Sequence, residues 1–116
     1  MKLEYVNQDD ISVYFPEGRL DYPQSIYVEN KITSRIKSGV SRIIFDLSRL
    51  DYLCSGGIRV FSSLVRKLNE HNGKLVFCAP SPSVSNLIEM TALQSDCEVY
   101  PTLFEALLSL EPGNKN

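Results

Sequence analysis

Phe45-Asp46-Leu47-Ser48-Arg49-Leu50-Asp51-Tyr52-Leu53-Cys54-Ser55-Gly56-Gly57-Ile58 is the stretch on which the fold turns: an apolar strand runs through a short turn into a helix that opens on a serine and two glycines. Arg42 to Leu47 is almost continuously apolar, as expected of a parallel strand buried on both faces. From Gly57 to His71, the residues Phe61, Leu64, Val65 and Leu68 recur at i, i+3, i+4 and i+7, which is the stripe of an amphipathic helix. Asn72-Gly73 then supplies a C-terminal cap. Ser55 places a hydroxyl at the helix N-terminus. The first amides there have no intrahelical acceptor and the macrodipole is positive, so a phosphate attached to Ser55 would be stabilised.

Working outward, Leu75 to Ala79 is the next strand, and Ser81-Pro82 opens a further helix with serine as N-cap and proline at the first helical position. The stripe of that helix reads Val84, Leu87, Ile88 and Thr91. Val99-Tyr100 forms a last short strand, and Leu103 to Leu110 a closing helix capped by Thr102. Upstream, Leu3 to Val6 and Ile11 to Phe15 are β-rich runs separated by the turn residues Asn7-Gln8-Asp9-Asp10, an antiparallel hairpin. Its second strand runs on toward Leu20, with Pro16-Glu17-Gly18 marking a bulge or bend. Val28, Ile32 and Ile36 recur at one-turn spacing, giving a helix from about Gln24 to Lys37 that Gly39 ends. Strand and helix alternating after an opening antiparallel hairpin predict an α/β domain: a mixed sheet, parallel at the crossovers, with helices mainly on one face.

Composition bounds the function. The 116 residues are 43% apolar, enough for one packed core. A net charge of −2 and a pI near 5.3 argue against a nucleic-acid partner, whose phosphates call for clustered Lys and Arg. Arg35, Lys37, Arg42, Arg66 and Lys67 are scattered instead. No apolar run suits a signal peptide or a membrane span, so a cytoplasmic protein without direct membrane insertion is expected. Three cysteines, Cys54, Cys78 and Cys97, without C-x-x-C spacing, indicate reduced thiols rather than a disulfide framework or zinc site. Glu111 to Asn116 reads as a frayed, flexible tail.

Four segments together resemble the STAS family, the sulfate-transporter and anti-sigma-factor-antagonist domains. Asp46-Leu47-Ser48 and Cys54-Ser55-Gly56-Gly57-Ile58 resemble the family's strand-ending Asp-Leu-Ser and its Asp-Ser-Ser/Thr-Gly-Leu turn. Gly18-Arg19-Leu20-Asp21 resembles its Gly-Glu-Leu-Asp, and Asn72-Gly73-Lys74-Leu75-Val76-Phe77 its Gly-Gly-x-Leu-x-Leu return strand. Pro82 to Leu93 is similar to the helix that follows. The resemblance implies a single STAS domain over residues 1–111 with a tail at 112–116. Two positions depart from the family pattern: Cys54 stands in place of Asp, and Gly56 in place of a second Ser or Thr.

An enzyme would need a nucleophile with a base, a metal cluster or a phosphate loop. His71 is the one histidine, and at the far end of the same helix it lies roughly 20 Å or more from Ser55. The segment Leu53 to Gly57 lacks the leading glycine of G-x-S-x-G and the length of a G-x-x-x-x-G-K-[ST] loop. Asp9, Asp10 and Asp21 flank turns, where local hydrogen bonding accounts for them. No catalytic residue, cofactor or metal site is expected. Ser55 reads either as the N-cap of the helix or as a switch residue. Cys54 reads either as a small, partly buried apolar residue or as a helix-terminal thiolate open to oxidation. Tyr22 and Tyr27 lie near Asp21, where aromatics serve as anchors for a partner or as packing.

The resemblance implies an anti-sigma factor antagonist. Its partner would be an anti-sigma factor that is also a serine kinase of the histidine-kinase-like ATPase fold, with Ser55 as phosphoacceptor and a phosphatase to reverse the modification. The partner-binding surface would comprise Asp21, Tyr22, Cys54, Ser55, Gly56, Gly57 and Ile58. Alternatives of other classes are a non-phosphorylated STAS scaffold or transporter-associated subunit, and a small-molecule or nucleotide-binding module.

Overall fold

The computed structural model describes residues 1–91 and 97–111. The opening hairpin pairs β1 (Lys2–Gln8) with β2 (Ile11–Leu20) in antiparallel register, Tyr5 opposite Tyr14. Asp9 and Asp10 turn it with φ of 52° and 67°, the two left-handed residues that a tight hairpin turn requires. The expected irregularity in β2 falls at Gly18, which has φ of 89° and marks a register shift before Arg19.

From β2 the chain crosses through α1 (Tyr22–Lys37) to β3 (Arg42–Asp46), and then through α2 (Ser55–Glu70) to β5 (Lys74–Cys78). After α3 (Pro82–Glu89), strand β6 (Glu98–Tyr100) is followed by α4 (Leu103–Leu110). The sheet order is β1-β2-β3-β5-β6, parallel from β2 onward. Between β3 and α2 lies a strand absent from the sequence reading: β4 (Leu50–Leu53) pairs in parallel with Gly18, Arg19 and Leu20 of β2. The short turn expected before α2 is therefore a second strand alongside the end of β2. It carries the start of α2 to the end of the sheet where α1 also starts.

The two apolar faces of β3 and β5 explain the layering. Ile43, Phe45, Leu75 and Phe77 face the larger core, where Val28, Ile32 and Ile36 of α1, Phe61, Leu64 and Leu68 of α2, and Val84 and Ile88 of α3 meet them. The rings of Phe45, Phe61 and Phe77 lie 5.0 to 5.7 Å apart, within the range where aromatic pairs attract. Ile44, Val76 and Cys78 face the opposite side, together with Ile11 and Val13, and α4 covers them with Ala106 and Leu110. Among the described residues, three helices lie on one face and one on the other, in keeping with the expected mixed α/β arrangement. Leu87, expected in the α3 stripe, is exposed, and only Val84 and Ile88 of α3 are buried. A two-turn helix buries a narrower stripe than its sequence suggests.

Cys78 is enclosed in this core with its thiol pushed up to about 12, first by burial and then by the Asp46 carboxylate beside it. Asp46, itself buried, accepts a hydrogen bond from the Ser48 amide at 2.9 Å. Pro82 to Glu89 begins as expected, with the Ser81 hydroxyl accepting from the Val84 amide at 3.3 Å. That helix ends earlier than expected, at Glu89, where Met90 caps it with its amide on the Asn86 carbonyl at 3.0 Å, so Thr91, expected in its stripe, lies beyond it. Residues 92 and 93 of the expected extension, and the tail 112–116, lie outside the described residues.

Candidate functional site

Two helix N-termini lie side by side at one end of the sheet. Asp21, directly after β2, caps α1, its carboxylate accepting from the Gln24 amide at 3.2 Å. α1 thus starts at Tyr22, two residues before the expected Gln24, because a carboxylate at the N-cap satisfies an otherwise orphaned amide. The Cys54 amide donates to the Leu20 carbonyl at 3.1 Å, which ties the start of α2 to the start of α1.

At α2 the structure corrects the sequence reading. The helix starts at Ser55 rather than Gly57, and the N-cap is Cys54, extended at φ −86° and ψ 169°. The Cys54 sulfur accepts from the Gly57 amide at 3.4 Å. Ser55 is therefore the first residue of the helix, and its exposed side chain is released from capping. Thiols are weak acceptors, so Cys54 caps the helix less firmly than a carboxylate at the same position would.

The two glycines behave differently. Gly57 is buried, and a Cβ there would come within 2.7 Å of Leu53 Cδ1 and 3.0 Å of Leu20 Cδ2. It faces the core and lets α2 approach the ends of β2 and β4. Gly56 is half-buried beneath the Tyr22 ring, whose Cδ1 would stand 3.2 Å from an added Cβ. Ile58 is also half-buried, flanking the larger core, and its amide closes the first helical hydrogen bond onto the Cys54 carbonyl at 3.1 Å.

Of the seven residues expected to form a binding surface, the structure brings Asp21, Tyr22, Cys54, Ser55 and Gly56 together at the surface or partly so, turns Gly57 inward, and leaves Ile58 half-buried against the larger core. Tyr22 is 57% exposed. Around this centre Ile26 and Tyr27 of α1 are exposed, as is Tyr52 of β4, whose ring lies under the Arg19 guanidinium at 4.1 Å. Sequence reasoning missed Ser25. Its buried hydroxyl donates to the Asp21 carbonyl at 2.7 Å and stands 3.8 Å from the Cys54 sulfur. The signal available was its position four residues after Asp21, where a serine hydroxyl reaches back to a carbonyl of the preceding turn.

The arrangement suits an anion. Two helix dipoles present their positive ends to one small area, and Asp21 is the one carboxylate that caps there. His71 ends α2 at the opposite pole, its Nδ1 2.7 Å from the Lys67 carbonyl. Among the described residues no group of histidine, cysteine or carboxylate side chains is arranged to hold a metal ion. None of the described helices is long and apolar enough to cross a membrane.

Comparison with known proteins agrees with this architecture. The BtrV protein of Bordetella bronchiseptica, assigned as an anti-sigma factor antagonist, is 28% identical over 95 residues, 82% of either chain. A crystal structure from Thermotoga maritima, assigned likewise, superposes with a TM-score of 0.88 over 93% of both chains at 18% identity. The Bacillus cell fate determinant SpoIIAA in its phosphorylated form gives a TM-score of 0.74 at 21% identity, covering 95% of this chain and all of that one. These two structural likenesses establish the fold. The model of the STAS domain matches residues 2–106, and with that span, the mixed sheet and the paired helix N-termini in place, the chain belongs to the STAS domain family.

Proposed function

We propose that this chain is a cytoplasmic anti-sigma factor antagonist, switched by reversible phosphorylation of Ser55. The observation that carries the reading is the exposed Ser55 hydroxyl at the first position of α2, beside the start of α1. Relatives assigned as anti-sigma factor antagonists, one of them known in a phosphorylated form, support it. The partner is an anti-sigma factor that is also a serine kinase, docking on Asp21, Tyr22, Cys54, Ser55 and Gly56, with a phosphatase acting in reverse.

In the forward step the Ser55 oxygen forms a bond to the γ-phosphorus of the partner's ATP as the bond to the β-phosphate oxygen breaks, and ADP leaves. The Ser55 proton passes to a base on the partner, since Asp21 is engaged in capping and His71 is at the far pole. The phosphate then rests against the amides of the first turn of α2. A phosphoserine bears about −1.5 to −2 charges, and one partner carboxylate at ~6 Å in an effective dielectric of ~20 would oppose it by about 4 to 5 kcal/mol. Halved by solvent and salt, that still approaches the roughly 2.7 kcal/mol that weakens binding a hundredfold. Refolding is not required.

Incubation with the cognate kinase-like partner and ATP should add one phosphate, located by mass spectrometry at Ser55. Phosphate on Ser48, Ser62 or Ser63 with Ser55 unmodified would overturn the assignment. Ser55→Ala should bind the partner with native affinity in calorimetry. Equal affinity of the phosphorylated and unmodified forms would remove the switch and favour a permanently docked scaffold.

A further inference from the structure

At the opposite pole from Ser55, the last turn of α1, the hairpin end and the start of β3 enclose an open cleft of about 500 Å³. Arg35, Arg42, Ser38, Ser41, Ser12 and Asp10 are among its walls. A 16-residue α1 separates it from Asp21 by roughly 24 Å at 1.5 Å per residue.

Arg35 is the unusual member. Its guanidinium lies over the Tyr5 ring, 4.7 Å from the centroid, and the Tyr5 ring is stacked on Tyr14 at 5.1 Å. Stacking occupies the face of the guanidinium and leaves its in-plane N–H groups for an acceptor. None of the described residues supplies a charged one: Arg35 makes no ion pair with a carboxylate, and its buried Nε meets no acceptor at hydrogen-bonding geometry. The fully buried Tyr14 hydroxyl lies in the same cluster and likewise makes no hydrogen bond of good geometry. Burial raises the Tyr14 pKa, and the Arg35 guanidinium, through its charge and its approach to the hydroxyl, offsets part of that rise. The Tyr14 oxygen is a neutral acceptor beside Arg35, and among the described residues no carboxylate faces it, so the guanidinium charge in this cluster is not cancelled.

Arg42 adds a second positive charge. It is held by neutral carbonyls, Nη1 donating to Leu110 at 2.7 Å and Nη2 to Asp9 at 3.4 Å, so no carboxylate cancels it. The Ser12 hydroxyl is spent on Asn7, to whose side-chain oxygen it donates at 2.8 Å. Ser41 is exposed at the rim, and Asp10 is the one carboxylate among the lining residues. Two cations against one anion leave an excess suited to an acceptor-only, multiply charged ligand. A phosphate dianion matches the planar fork of Arg better than a halide, and carries more charge than a single carboxylate.

We propose that this cleft binds a small phosphate-bearing anion, gripped by the Arg35 fork, with Arg42 and the Ser41 hydroxyl completing the site. It is independent of Ser55 and of the partner surface.

The test is titration of the full chain with inorganic phosphate at pH 8, followed by nitrogen-proton NMR, with sodium chloride at matched ionic strength and sodium acetate as controls. Phosphate should give saturable shifts at the Arg35 Nε–H and at the amides of residues 38–42. Arg35→Gln should weaken the midpoint at least about tenfold, the loss of a charge-assisted contact. Ser41→Asp, an exposed substitution that sets a carboxylate in the cleft, should abolish the shifts and keeps the test intact should Arg35→Gln fail to fold. Ser55→Ala should titrate as the native chain does. Shifts no larger than with chloride would overturn the proposal, as would native-like binding by Ser41→Asp or shifts confined to the amides of Gln24, Gly56 and Gly57. An equal response to acetate would reject the phosphate class.

Discussion

The two ends of α2 are built to different standards. At its C-terminal end Asn72 takes the left-handed conformation at φ 60°, and the Gly73 amide returns to the Leu68 carbonyl at 2.7 Å. Gly73 sits so close to the start of β3 that a Cβ would fall 2.4 Å from the Ser41 carbonyl oxygen. At the N-terminal end the cap is a thiol, the next residue is an exposed serine, and a glycine takes the third place. Carbonyls at one end are satisfied by backbone geometry that admits one residue type. Amides at the other are served by a weak acceptor and left accessible. Stability is concentrated away from the surface proposed for exchange between partners, as expected where function draws on the less stable parts of a fold.

Gly73→Ala is the largest break in this contrast. The obstacle is a backbone oxygen rather than a movable side chain, so the loss should be about 2 to 4 kcal/mol by denaturant melting. A loss under about 0.5 kcal/mol would show that the junction of α2 with β5 yields easily, and would erase the asymmetry. Gly57→Ala tests the N-terminal end where it faces inward. Alanine gains up to about 1 kcal/mol in helix propensity, but overpacking against Leu53 and Leu20 costs about 1 to 3 kcal/mol, leaving a net loss of about 1 kcal/mol. Gly56→Ala meets the exposed Tyr22 ring, which can swing away, and Cys54 Sγ at an ordinary contact distance of 3.6 Å, so its stability should change by less than about 0.5 kcal/mol. A clear difference between these neighbours separates the packed from the presented residue, and equal losses would place both in the core.

The same contrast explains what could be read from the sequence. Asn72-Gly73, Ser81-Pro82 and the stripe Phe61, Leu64, Val65 and Leu68 are local signals, and the structure realises each. β4 was hidden because Leu50–Leu53 buries only its two end residues and exists through pairing with the distant Leu20. Ser55 ranks above cysteine as a cap by propensity, yet tertiary placement of the α2 start gave that role to Cys54. In α4, where five of the eight residues are leucine or phenylalanine, composition does not reveal which side is buried. The structure buries Ala106 and Leu110 and leaves Phe104 and Leu108 exposed. At the candidate site Asp21, Tyr22 and Ser55 were legible from motif order, whereas the inward turn of Gly57 and the part played by Ser25 depend on the approach of two helices.

Cys54→Asp sharpens the comparison most finely, because it upgrades the weak end without touching the strong one. A carboxylate at the N-cap accepts the Gly57 amide better than a thiol and meets the positive end of the dipole, so α2 should gain about 0.5 to 1 kcal/mol at neutral pH. The sign with pH follows from the cap. An Asp stabilised as its anion has a lower pKa in the folded chain, so the gain is complete above the unfolded value near ~4 and is lost as pH falls below it. Melting the two proteins across pH 3 to 7 should show curves that separate at neutral pH and converge in acid. Curves that stay parallel would mean that the carboxylate acts by size rather than charge. The same variant bears on the proposed switch: an Asp beside Ser55 that aligns the hydroxyl should speed phosphorylation by the partner through positioning. If stability rises while the phosphorylation rate stays native, the weak cap is a matter of helix stability alone, and the thiol at Cys54 does not set the pace of the switch.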